Sequence, residues 1–339
     1  MIQPALQSAA FLANVAAAGR SPEQLHLWWL GQSGFLVQWQ GRHLLFDPYL
    51  SDSLTRKYAQ TDKPHVRMTE LVIAPERLDF VEVVTSSHNH TDHLDAETLK
   101  PLAQANPGLV MVCPEANRTT VRERSGLPDE RIVGLTTAAP SPRSEARGEG
   151  RGEGLPLALP TGEATTSFPR PSPLLRVEER EKMGAVGIRL GALNAVPIGS
   201  WEIHAIPAAH EALDTDKDGR PIYLGFVVRV GPWTLYHSGD TILFPGMAEL
   251  LKPFRVDVAL LPINGRAPER RVAGNLWGRE AAQLAAAIGA RCVIPCHYEM
   301  FEFNTASPAE FVETSHLLNQ PCAVLRAGER WSLAAGSRG

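Results

Sequence analysis

The residues most able to do chemistry are concentrated in Ser86-Ser87-His88-Asn89-His90-Thr91-Asp92-His93. This H-x-H-x-D-H run follows an apolar strand pattern and precedes a helical one. In an extended segment residues i and i+2 point to the same side, so His88 and His90 can bind one ion together. Reversal of the chain into the helix then turns Asp92 and His93 toward a second ion. Imidazole and carboxylate donors suit zinc, manganese or iron. One run cannot complete two coordination shells, so further donors are expected just beyond other strand ends, where open α/β sheets build their sites. Three stand there: His210 after WEIHAIPAA, Asp240 after WTLYHSG and His297 after RCVIPC. Together with the run they are enough for two ions about 3.5–4 Å apart that share a carboxylate and a water. Any one of these histidines could be an ordinary core or surface residue; the density of the cluster is what points to metal.

Two adjacent cations would let a shared water exist as hydroxide near neutral pH and would polarise an attacked carbonyl or phosphoryl oxygen. Asp92 could take a proton from the nucleophile and return it to the leaving oxygen. No Ser or Cys nucleophile is needed, and no G-x-S-x-G or Walker-type loop competes. Substrate-facing candidates follow the later strands. Asn264 and Arg266 come after VDVALLP, Tyr298 follows His297, and Asn275 and Arg279 open a helix whose N-terminus could attract an anion. Arg270 and Arg271 lie in the loop between. Each is read equally well as a solvated loop or cap residue. His26, His43, His65, His204, His237 and His316 are read as structural, and Trp28, Trp29 and Trp39 as core.

The elements that must position these residues are legible from periodicity. Leu25 to Asp47 reads as short strands broken by Gly31, Gly34 and Gly41. Phe80–Thr85, Leu109–Cys113 and Arg131–Leu135 read as further strands, with helices over Leu94–Ala105 and around Asn117–Ser125. WEIHAIP, YLGFVVRV, WTLYHS, VDVALLP and RCVIPC are strands, GREAAQLAAAIGA is an Ala-rich helix, and Pro308–Leu318 is another. A closing hairpin is expected over AVLRAGERWSL. Between about 138 and 182 the chain is crowded with Pro, Gly, Arg and Glu and repeats RGEGRGEG, so it reads as a disordered insertion in one domain spanning 1–339.

The chain has 339 residues, 44% of them hydrophobic, which is too apolar for wholesale disorder. Lys and Arg number 33 against 37 Asp and Glu, a balance that argues against a nucleic-acid partner. No apolar run approaches the roughly 20 residues of a membrane span. The N-terminal segment lacks a basic n-region and reads as a leading helix, leaving the cytoplasm as the expected compartment. Four cysteines without a C-x-x-C pair suit buried positions in a reducing compartment. A small anionic molecule is the expected partner, without membrane or nucleic acid, and self-association into a homo-oligomer stays open.

HNHTDH, the later His210, Gly239-Asp240-Thr241 and His297 together resemble the metallo-β-lactamase superfamily over essentially the whole chain except the insertion. LGQSGFLV, DPYLSDS, LLPINGR and IPCHYEMF are similar to the L-ascorbate-6-phosphate lactonase-like branch. The resemblance implies an α/β fold, an αββα sandwich of two mixed sheets packed face to face with outer helices. It implies that His88, His90 and His210 hold one ion and that Asp92, His93 and His297 hold the other, with Asp240 bridging. Asp47 matches the early Asp that supports the His-rich loop, although a turn residue before Pro48 is an equal reading. Zinc and manganese both occur among such relatives. The function implied is a two-metal hydrolase of a small anionic ester or lactone. The alternatives are a phosphodiesterase resembling N-acylphosphatidylethanolamine phospholipase D and a nucleic-acid processing member of the superfamily.

Overall fold

The computed structural model describes residues 1–137 and 195–334, so the expected insertion lies outside the described residues. After α1 (Ser8–Ala18), three antiparallel strands follow in quick succession: β1 (Leu25–Gly31), β2 (Gly34–Trp39) and β3 (Arg42–Phe46). Gln40 and Gly41 both take positive φ, the backbone that a two-residue hairpin turn needs to match strand twist. Then β4 (Val83–Thr85), β5 (Val110–Pro114) and β6 (Ile132–Leu135) add in parallel to β3. The helices between them are α2 (Ser53–Tyr58), α3 (Ala96–Ala105) and α4 (Arg118–Ser125). With the last strand, β13 (Arg330–Leu333), they make a seven-stranded sheet in the order β13-β1-β2-β3-β4-β5-β6.

The second sheet has six strands, ordered β12-β11-β10-β9-β8-β7. These are β7 (Ala195–Ile198), β8 (Trp201–Pro207), β9 (Leu224–Val230), β10 (Trp233–His237), β11 (Val258–Pro262) and β12 (Cys292–Cys296). Strands β10 to β12 run parallel, and every residue in them is buried, as expected where both faces are covered. Two mixed sheets with helices are thus the architecture. Ring contacts join the sheets: His237 of β10 stacks on Phe46 of β3 with centroids 4.8 Å apart. Outside them α4 packs on β5 and β6, while α6 (Gly278–Ile288) packs on β11 and β12. Short α5 (Met247–Leu251) and α7 (Ala309–Leu317) complete the set. No helix among the described residues is long and apolar enough to cross a membrane.

Three expectations need correction. The closing hairpin does not form, because each half of that segment pairs with a different sheet. Ala323 donates to Val293 in β12, whereas Arg330–Leu333 pairs with Leu25–Trp28 in β1. Strand β4 is shorter than Phe80–Thr85, since Val81 donates instead to the side chain of Asn106. Of the four free cysteines, Cys322 is only half-buried. Burial pushes the thiols of Cys113 and Cys292 up to about 12, which keeps them unreactive near neutral pH. Trp28 and Trp29 are core, and Trp39 is half-buried.

Gly239, just beyond β10, joins the two sheets at the site. Its φ is +59°, and a Cβ there would stand 2.5 Å from Ser87 Cβ and 2.9 Å from the Leu224 carbonyl oxygen. Gly239→Ala is expected to lower stability by on the order of 1–3 kcal/mol, from backbone strain plus the close contact. Denaturant midpoints would measure it; an unchanged midpoint would show that Ser87 yields without cost.

Candidate metal centre

The His-rich run begins one residue after β4, but it is not extended. It bends and closes as a turn in which the His90 carbonyl accepts from the backbone N–H of His93 and Leu94. Tight folding brings the rings of His88 and His90 to 4.5 Å and those of His88 and His93 to 4.2 Å. The loops after β8, β10 and β12 deliver His210, Asp240 and His297 to the same place. Two donor groups result, His88/His90/His210 and Asp92/His93/Asp240/His297. Within each group, one donor atom per residue lies within 4.8 Å of the others.

Hydrogen bonds on the far side of several rings fix which nitrogen faces inward. His93 Nδ1 lies 2.8 Å from Asp47 Oδ2, and His210 Nδ1 lies 2.8 Å from the Gly274 carbonyl, so Nε2 of each is turned to the cluster. Asp47 is wholly buried beyond β3. Its Oδ1 accepts from Thr85 Oγ1 at 2.7 Å, and its Oδ2 accepts from the Ser87 N–H at 3.0 Å and from the Ser87 hydroxyl. It thereby clamps the root of the His-rich loop, which goes beyond a turn residue's duty.

The cluster suits cations on its own atoms. His88 Nε2, His93 Nε2 and Asp240 Oδ1 are buried without a hydrogen-bond partner, and the last two face each other at 3.3 Å. Leaving such groups unsatisfied costs about 1–3 kcal/mol each, and a divalent ion removes that penalty. Burial first, then neighbouring imidazoles, hold His88 below its ordinary range, which keeps it in the neutral ligating form. Burial alone would also depress His297, but the carboxylates of Asp240 and Asp92 prevail and hold it at about 9. The negative field that favours a proton there favours a cation equally. Nitrogen and oxygen donors without thiolate fit zinc or manganese.

The donor groups open into a cavity of about 540 Å³. Of the residues expected to face substrate, only Asn275 and Arg271 line it. Asn264 is buried one layer behind, bonded to the side chains of Asn275 and Asn304. Arg266 forms a bidentate pair with Glu280, Arg279 pairs with Glu310, and Arg270 binds the carbonyls of Asn264 and Thr305. Tyr298 is buried, stacked on Trp29 and donating to the Leu325 carbonyl. A carboxylate or carbonyl within reach thus takes up each of these groups before a substrate could.

Several wall residues carried no sequence signal. Gln32, in the turn between β1 and β2, lies 2.8 Å from Asp92 Oδ2 and 3.0 Å from His297 Nε2 through its side-chain amide nitrogen. Its place in LGQSGF was the available hint. His65, expected to be structural, lines the cavity with Lys57, Tyr58, Arg124, Phe301 and Phe303. Asp47→Asn is expected to weaken metal binding 10- to 100-fold, because His93 Nδ1–H loses its anionic acceptor. Competition with a chromophoric chelator would measure this, with the circular dichroism spectrum unchanged.

Comparison with known proteins agrees with this architecture. The family described as the beta-lactamase superfamily domain matches residues 26–297. A "UPF0173 metal-dependent hydrolase" of Caldivirga maquilingensis is 25% identical over 84% of this chain and 87% of its own. Another, from Alkaliphilus metalliredigens, is 37% identical over 39% of this chain and 58% of its own. Among solved structures, isothiocyanate hydrolase from Delia radicum gut bacteria superposes with a TM-score of 0.60 at 17% identity, covering 91% of this chain and 100% of that one. Igni18, a metallo hydrolase of Ignicoccus hospitalis, gives 0.55 at 18%, covering 92% and 100%. The match runs from the first strand of the sheet to the last histidine of the cluster, and the chain belongs to the metallo-β-lactamase superfamily of metal-dependent hydrolases.

Proposed function

We propose that this protein is a two-metal hydrolase that cleaves a small anionic ester or lactone. The observation that carries this reading is that Asp240, a member of the second donor group, also reaches the first. Its Oδ2 lies 3.6 Å from His210 Nε2 on one side and 3.3 Å from His297 Nε2 on the other. A carboxylate so placed is suited to bridge two cations. In this reading His88, His90 and His210 hold one zinc or manganese ion, and Asp92, His93 and His297 hold the other. Bound there, the pair would supply water activated at neutral pH and polarisation of the attacked carbonyl.

The protein's own groups do the remainder. Gln32 secures Asp92 through Oδ2, which leaves Oδ1 to receive a proton from the attacking water and pass it to the leaving oxygen. Asn275 and Asn304 present amides along the wall, held in place through Asn264. Positive charge at the wall comes from Lys57 and Arg124, whereas Arg271 is paired with the carboxylate of Asp62. Arg124 is braced on the carbonyls of Asn89 and Leu94, at 2.7 and 3.2 Å. That charge is the support for an anionic substrate. A membrane-associated phosphodiesterase would want a free apolar helix, yet α1 buries Phe11, Val15 and Ala18.

Protein loaded separately with zinc and manganese is expected to hold two ions per chain and to turn over lactones or carboxyl esters. Activity confined to phosphodiesters, or full activity with one ion, would overturn the reading. Asp92→Asn should lower kcat by about 10²- to 10⁴-fold with the fold retained. Near-normal turnover at full metal occupancy would remove Asp92 from proton transfer.

A further inference from the structure

One wall of the cavity is built from rings. Tyr58 at the end of α2 stacks on His65, with centroids 4.2 Å apart and an interplanar angle of 19°. His65 meets Phe303 edge-on at 4.5 Å and Phe301 at 5.2 Å. All four line the cavity, with Leu54 beside them. The group is held by backbone pairing between two segments distant in sequence. Met68 donates to the Met300 carbonyl at 2.8 Å, and Glu302 donates to the Val66 carbonyl at 3.1 Å. Thr55 Oγ1 adds a bond to the His65 carbonyl at 2.8 Å, tying α2 to the same unit.

Tyr58 and Phe303 pack against a core of Tyr49, Leu54, Met300 and Phe301, and with His65 they stay only half-buried, leaving part of each ring to the cavity. Phe301 and Phe303 stand four and six residues after His297, and His65 lines the same cavity as Asp92. The rings and the metal-donor residues thus line one cavity, and Arg124 reaches the His-rich loop through the Asn89 carbonyl. Lys57 lies 5.0 Å from the Tyr58 ring centroid, so a positive charge stands beside the ring wall.

We propose that the ring wall of Tyr58, His65, Phe301 and Phe303 is a specificity pocket for an aromatic group on the substrate, resting on the hydrolase reading above. Ring faces and edges at these spacings favour a planar aromatic partner over an aliphatic one of equal area, because quadrupole alignment adds to burial. The cavity is of the size that encloses a single-ring ligand together with the bond to be cleaved.

Isothermal titration of the metal-loaded protein with phenylacetate and with cyclohexylacetate, an aliphatic acid of similar area, tests this without turnover. Phenylacetate is expected to bind about tenfold more tightly, and Phe303→Ala should abolish the difference with metal content unchanged. Tyr58→Leu, at the other ring neighbour of His65, is the second variant if the first fails to fold. Equal affinity for the two acids, or a preference that survives both variants, overturns the proposal. A preference for phenylacetate without hydrolysis of any ester would instead retain the pocket and overturn the hydrolase reading. For substrates, the variants should raise KM for aryl esters more than for alkyl esters.

Discussion

Three carboxylates meet in one small volume between the two sheets: Asp47 and Asp240 are buried, and Asp92 keeps 17% of its side chain exposed to the cavity. A buried charge without partners costs several kcal/mol, so the surrounding structure is constrained to supply them. Burial by itself would raise all three pKa values, yet each is lowered, since imidazoles and, at Asp47, hydrogen bonds outweigh it. Asp47 is met by His93, Ser87 and Thr85. Asp92 and Asp240 are met by His93 and His297 at 3.3–3.6 Å, distances more open than good hydrogen bonds. The inner pairing is therefore incomplete by protein atoms alone, and that incompleteness is what suits the cluster to a cation better than a closed structural ion network would.

Sheet direction explains why the donors converge. Strands β3 and β4 are parallel neighbours in one sheet, and β10 and β12 flank β11 in parallel in the other. Strand β8 runs the same way as β10, because both are antiparallel to β9. Asp47, the His-rich run, His210, Asp240 and His297 each follow the carboxyl end of one of these strands. Every donor thus emerges at the same edge of its sheet, where a parallel arrangement leaves loops free to vary.

That regularity is also why the metal cluster was legible in the chain and the rest of the cavity was not. A donor one to three residues past an apolar run is a local pattern, readable without knowing which strands are neighbours. Arg266, past an apolar run, and Arg279, at a helix start, stand outside the cavity lining, because Glu280 and Glu310 pair with them once helices α6 and α7 are in place. The ring wall carried still less signal. Its residues come from α2, from the segment at 65–68 and from the stretch after β12, joined by pairing across more than two hundred residues of sequence. The end of the chain was misread for the same reason: a turn signal shows that the backbone reverses, but not which sheet each side will join.

The two parts of the site differ in how tightly they are determined. Gln32, Asp47 and His297 all take positive φ, at 49°, 36° and 64°, a region costly for residues other than glycine. All three are nearly inaccessible to solvent, with Asp47 bonded to His93, Ser87 and Thr85, and Gln32 bonded to Asp92 and to both the backbone and ring of His297. Strain of this kind persists only where the surroundings over-determine it, so the floor of the cavity tolerates little change. Tyr58, His65 and Phe303 have part of their surface in the cavity, and their positions rest on backbone pairing more than on the identity of each ring. A wall residue can therefore change without disturbing the carboxylates beneath it. The floor is thus fixed by its own strain and bonding, and the wall is the part of the cavity that is free to vary.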